Sequence, residues 1–403
     1  MAETSKQRIE YLDWLRGLAC LGMFEVHCYD AWLGGAARQG SFFGLTQFSG
    51  TIPAPLFIFL SGISCALVSD QMRRQGASAS EITTRLVRRG AEIFGLGLVF
   101  RVQEYLLGLP AAPQSDLFRV DVLNLIGLSL LFVGIFLRLS VSRPIQVILA
   151  ASIALGIACA TPPLWTTWRP RWLPWFIESY FNGIHIYKAP QPWLFPIFPW
   201  TGFAFAGLAA GILLMSDRSA KNQTRMTALL AGVGASLFFL SRWLDRQSPF
   251  YAVYDYWHTS PNFFLARVGI CLVVIWMGYL WCRWGLGQVG FSPLIRLGQA
   301  SLLVYWVHIE LVYGRFSILP RASEGIGMAT LGFLIVTTAM VLLAVARVTW
   351  KKRGPEILAR LRGPASLSRR GLGPFRRIDG LRRWNKSLRQ FRWKLENVFA
   401  RAR

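Results

Sequence analysis

Apolar runs of about 20 residues, separated by short polar connections, recur along the chain. A helix of that length covers the hydrocarbon thickness of a bilayer, so each run predicts a membrane-spanning helix. Ten can be drawn, over 12–33, 50–69, 89–109, 120–138, 144–162, 195–215, 226–244, 263–282, 294–314 and 327–348. The short connections fit a compact bundle. The expected fold class is all-α: a polytopic integral membrane helical bundle of about ten spans. Composition agrees, because only 16% of residues are charged and mean hydropathy is +0.39, against about 25% charged residues in soluble domains.

Charge sets the expected orientation. With the N-terminus in the cytoplasm, Arg73, Arg74, Arg85, Arg88, Arg89, Arg138, Arg143, Arg218, Lys221, Arg225, Arg283 and Arg296 all fall on the cytoplasmic side. The opposite connections are poorer in basic residues, apart from Arg169, Arg171 and Lys188 in the long 163–194 loop. This is the positive-inside bias, and it puts both termini in the cytoplasm. The first run is longer than a signal core and charged, so it is expected to be retained as a span.

The chain divides at about residue 350 into a membrane domain, 1–350, and a basic cytoplasmic tail, 351–403. The tail holds 17 Lys or Arg against three acids, which is +14 of the chain's net +24. Within 381–403, Trp384, Leu388, Phe391, Leu395 and Phe399 form an apolar stripe among basic residues. That pattern predicts an in-plane helix held to anionic lipids, and nucleic acid is not expected as a partner. The six cysteines, Cys20, Cys28, Cys65, Cys159, Cys271 and Cys282, include no CxxC pair and read as small apolar fillers. No metal site is expected.

The first span is the chemically unusual one. LDWLRGLACLGMFEVHCYDAWL carries Asp13, Arg16, Glu25, His27 and Asp30. Ionisable groups in a hydrocarbon slab are costly and normally face protein or a wet cavity. Asp13, Arg16, Cys20, Met23, His27 and Asp30 step by three or four and share one face, with Arg16 and His27 about 16 Å apart along the axis. Glu25 falls off that stripe. The alternative is a packed stripe of paired charges with a core histidine.

Other polar positions are sparser. Arg101 and Glu104 share a face of the third span and can pair. Arg119, Asp121 and Asn124 mark the outer end of the fourth, at a helix terminus or at the rim of a site. Ser61, Gly62 and Ser64, and later Gly202, Gly207 and Gly211, are small positions suited to close helix approach. The 163–194 loop is rich in Trp, Pro and Tyr and contains His185; it suits a bilayer surface, a cavity cover or sugar stacking. In the ninth span Ser301, Tyr305 and His308 share a face, and His308 points to the same outer side as His27. A multi-span protein with buried acid, base and imidazole groups fits a proton-coupled transporter and a membrane-embedded transferase equally.

Several stretches carry a family resemblance. Arg16 and His27 have the spacing of a basic residue, ten residues and a histidine, set in LDWLRG…MFEVH. PLFIFLSG at 55–62, RVDVLNLIGLSLL at 119–131, FPWTGFAFAGLAAG at 198–211, SPNFFLARVGI at 260–270 and LGQASLLVYWVH at 297–308 follow in order. Over about 8–350 the chain resembles the transmembrane acyltransferase superfamily. It is most similar to the heparan-alpha-glucosaminide N-acetyltransferase-like branch and its bacterial relatives, and is also related to acyltransferase-3.

The resemblance implies acyl transfer, with acetyl the expected group, from cytoplasmic acetyl-CoA or another acyl-CoA to a hydroxyl or amine of an extracytoplasmic glycan, in a bacterial inner membrane. His27 matches the essential histidine. Arg16 would bind the coenzyme, and Asp30 would orient His27. Asp13, Asp121, Asn124, Tyr305, His308 and His185 are further site candidates. The alternatives are a transporter or exporter of a small molecule or glycan precursor, and a structural or interaction protein. A homo-oligomer is compatible with any of these.

Overall fold

The structure, a computed structural model, describes residues 9–139, 141–191, 193–216, 222–285 and 292–361. The amphipathic helix expected over 381–403 lies outside the described residues. Helices occupy all ten positions at which spans were drawn. In chain order they are α1 (Glu10–Trp32), the one-turn α2 (Gly35–Arg38), α3 (Ser41–Gly50), α4 (Pro53–Arg74), α5 (Ala79–Gly108), α6 (Val122–Phe136) and α7 (Arg143–Thr166). There follow α8 (Trp175–Asn182), α9 (Ile197–Leu214), α10 (Gln223–Leu244), α11 (Pro261–Trp284), α12 (Pro293–Gln299), α13 (Ser301–Val312) and α14 (Ile326–Leu361).

Among the described residues seven helical stretches are both long and apolar enough to cross a membrane: α3 with α4, α6 with the 3-10 turn before it, α7, α9, α10, α11 and α14. The fold is an all-α polytopic membrane bundle. The other three expected spans differ for physical reasons. α1 and α5 are long, at 23 and 30 residues, but carry charge along their length. The ninth is two helices: Ala300 leaves helical geometry at φ −116°, ψ 15°, and α13 restarts at Ser301.

Local chemistry sets the ends. Pro53 opens α4 in the first turn, where its missing N–H would have had no intrahelical partner. Ser78 and Glu81 close a capping box on α5, and Asp121 with Asn124 does so on α6. In the outer loop, α7 runs on through Pro162 and Pro163 to Thr166, and α8 forms a short separate helix.

Close packing fixes the helices around α1, which meets α3, α4, α11, α12 and α13. A Cβ built on Gly17 would lie 1.8 Å from the Leu294 carbonyl oxygen, and one on Gly298 1.8 Å from that of Asp13. α12 is thereby seated backbone to backbone on α1, and the helix is interrupted at Ala300 before α13 begins. α4 crosses α9 in the same way, with Gly62 against Ala204 and Gly207 against Phe59. The charged stripe of α1 is thus held at the centre of the bundle.

Candidate active site

A cavity of about 1580 Å³ runs through the bundle beside α1, and both Arg16 and His27 line it. Its walls come from α1, α4, α5, α6, α13 and the segments before α6 and after α13. Asp30, Ser61, Ser64, Arg101, Glu104, Asp121 and Tyr305 also face it.

At one level Arg16 bridges α1 and α4. Its Nη1 donates to Asp13 Oδ1 at 2.8 Å and its Nη2 to Ser64 Oγ at 2.6 Å. Asp13 is buried and anchors the guanidinium from behind, a charge-assisted contact that fixes its direction. Ser64, one of the small positions of α4, therefore also holds the arginine, and its own hydroxyl donates to Leu60 O.

At the other level His27 Nδ1 lies 2.9 Å from His308 Nε2 on α13. The rings are within 7° of coplanar with centroids 5.2 Å apart. That separation exceeds the N···N distance by about a ring's width, so the imidazoles meet edge to edge in one plane. His308 is fully buried, and its Nδ1 lies 3.0 Å from Val304 O. Tyr313 meets His27 edge-on at 5.4 Å.

Asp30 departs from the expected arrangement. One turn beyond His27, it was expected to orient the imidazole. Its carboxylate instead accepts from the Tyr313 hydroxyl at 2.9 Å and lies 3.8 Å from Arg38. His27 turns its Nδ1 toward α13, where His308 meets it.

A third polar group joins three elements. Asp121 caps α6 through Leu123 N, accepts from the Tyr305 hydroxyl at 2.9 Å and pairs with Arg101 at 3.2 Å. Arg101 also makes the expected contact with Glu104, at 2.7 Å. Asn124 is committed to structure: it completes the cap of α6 and donates to Phe94 O. Replacing Arg101 by methionine would leave two carboxylates in a largely buried place without their cation. That is expected to destabilise the fold by about 3–5 kcal/mol, read as a lowered unfolding midpoint that Arg101→Lys partly restores.

His185, the candidate from the outer loop, packs against Trp175 at 5.4 Å and Tyr187 at 5.0 Å and is not among the residues lining the cavity. Arg119, expected at a helix terminus or at the rim of a site, lines the cavity, and so do Tyr313 and Glu310, which the sequence did not point to. Glu310 accepts from Gln103, whose own oxygen accepts from Trp306. Arg119 had a signal, next to Asp121 at a span end. Glu310 lies off the Tyr305–His308 stripe and had none.

A family model described as heparan-alpha-glucosaminide N-acetyltransferase, catalytic, matches residues 8–244. The chain belongs to this family. It is therefore an integral membrane protein of the acetyltransferase class. The segment matched to the heparan-alpha-glucosaminide N-acetyltransferase family runs from α1 through α10, so it contains Arg16, His27, Asp30, Arg101 and Asp121. Tyr305 and His308, on α13, complete the same cavity from outside that segment. No curated protein matches the chain.

Proposed function

We propose that the protein moves an acetyl group from acetyl-CoA, or another short acyl group from its coenzyme A thioester, to a hydroxyl or amine of an extracytoplasmic glycan. The supporting observation is a single cavity lined by a fixed guanidinium at one level and an imidazole at another. Coenzyme A is large and highly charged and stays in the cytoplasm. Its extended pantetheine arm is long enough to cover the roughly 16 Å along α1 from Arg16 to His27. Only the thioester then needs to reach the imidazole.

In this reading Arg16 faces the cytoplasmic opening and holds the coenzyme, and His27 acts as general base on the acceptor. Asp13 and Ser64 orient Arg16. Asp121, Arg101 and Tyr305 shape the wall where the acceptor enters. The membrane is a bacterial inner membrane, and the basic tail adds attachment to anionic lipid.

Acetyl-CoA binding to the full chain in nanodiscs tests this. Wild type is expected to bind saturably, Arg16→Ala about 10- to 100-fold more weakly as a charge-assisted contact is lost, and His27→Ala nearly as wild type. A folded sample that binds no short acyl-CoA, and that carries a solute across vesicles without consuming one, would overturn the transferase and favour a transporter.

A further inference from the structure

The nitrogen roles in the His27–His308 pair follow from its far end. A carbonyl oxygen has no proton to give, so the 3.0 Å contact of His308 Nδ1 with Val304 O requires the proton on Nδ1. A neutral imidazole has one N–H, so His308 Nε2 then presents a lone pair. His27 Nδ1, 2.9 Å away in the same plane, must be the donor. The remaining nitrogen of neutral His27, Nε2, is left with its lone pair.

A charged His308 would reverse this chain. It would place a proton on its own Nε2 and leave His27 protonated on Nε2, with no base to offer. The surroundings oppose that state. His308 is fully buried, with Phe24 at 4.9 Å and Tyr305 at 5.7 Å between ring centroids. The nearby carboxylates are engaged elsewhere: Asp30 by Tyr313, and Asp121 by Tyr305 and Arg101. Charging a ring with no anion against it in such a place is costly.

We propose that His308 is a positioning residue that holds His27 in the Nδ1–H tautomer, so that Nε2 is the base for acyl transfer. This rests on the proposed role of His27. As the acceptor oxygen or nitrogen bonds to the thioester carbonyl carbon, its proton passes to His27 Nε2. The carbon–sulfur bond breaks, and the departing thiolate takes that proton, leaving free coenzyme A and neutral His27. While His27 holds the extra proton, its Nδ1–H remains bonded to His308, which stabilises the cation without moving. The tautomer of one imidazole is set by the partner of its other nitrogen.

The chain has four histidines, so selective ¹⁵N-histidine labelling of the full protein in nanodiscs reads the pair directly. His27 is expected to be protonated on Nδ1, with a scalar coupling across the N–H···N bond to His308. In His308→Phe, which keeps a ring but no acceptor, the coupling disappears and His27 becomes a mixture of tautomers. That variant is expected to lose about 100-fold in kcat with little change in KM for acetyl-CoA. His308→Gln, whose side-chain oxygen reaches about as far as Nε2, is expected to regain much of it.

A wild-type His27 protonated on Nε2 would overturn the proposal. So would full kcat in His308→Phe beside an inactive His27→Ala. Failure of the transferase reading looks different: no acyl transfer by wild type, with the Nδ1–H tautomer and the coupling still present.

Discussion

Replacing His27 by alanine is expected to lower acyl transfer by about 10²–10⁴-fold, the usual contribution of a positioned acid–base group, in a protein that still folds. The ring is half-buried at the cavity wall, and its removal opens space that is already continuous with that cavity. The partner left behind, His308 Nε2, is an acceptor that a cavity water can satisfy, so the structural cost is modest. Acetyl-CoA binding should persist, since Arg16 keeps both Asp13 and Ser64. Turnover measured with labelled acetyl-CoA, beside the unfolding midpoint of the same sample, separates the two effects. Unchanged turnover would remove His27 from the chemistry, whereas loss of both turnover and folding would make it a packing residue.

The bundle was legible because its causes are local. An apolar run of bilayer length predicts a helix whatever lies beside it, and each of the ten runs is helical. The Arg101–Glu104 pair was legible for the same reason, since three-residue spacing puts both on one helix face. The α1 stripe told which face Arg16 and His27 share. The Ser301–Tyr305–His308 spacing told that Tyr305 and His308 look the same way.

What each face meets was not legible. His27 and His308 are 281 residues apart, Asp30 and Tyr313 283, and Asp121 and Tyr305 184. Those contacts depend on the rotation of each helix about its axis and on which helices are neighbours. No local pattern encodes either. The expected Asp30–His27 contact gives way on this point: one-turn spacing allowed it, but His27 meets His308 on α13 and Asp30 meets Tyr313 just past its end. The break at Ala300 has a similar origin. The stretch has the length of a single span, and the interruption falls beside Gly298, whose seat on α1 is a tertiary constraint.

Gly207→Leu is expected to prevent assembly of the bundle. A Cβ at this position would lie 1.9 Å from the Phe59 carbonyl oxygen, 2.7 Å from its carbonyl carbon and 3.0 Å from its Cα. All three are backbone atoms in the middle of α4, so no side chain can rotate away to make room. α4 would have to move off α9, which breaks the reciprocal seat of Gly62 on Ala204. The cost should exceed the roughly 1–3 kcal/mol of ordinary overpacking and consume much of a typical stability of about 5–15 kcal/mol. The movement would also reach the site, because α4 carries Ser64, which holds Arg16. Gly156→Leu on α7 is the control, since a Cβ there meets nothing within 4 Å and the substitution should be tolerated. The measurement is the yield of monodisperse protein in detergent and its unfolding midpoint for both variants. A Gly207→Leu protein that purifies and melts like the Gly156→Leu control would show that α4 and α9 do not cross in this close register. The orientation of Arg16 by α4 would then lose its structural basis.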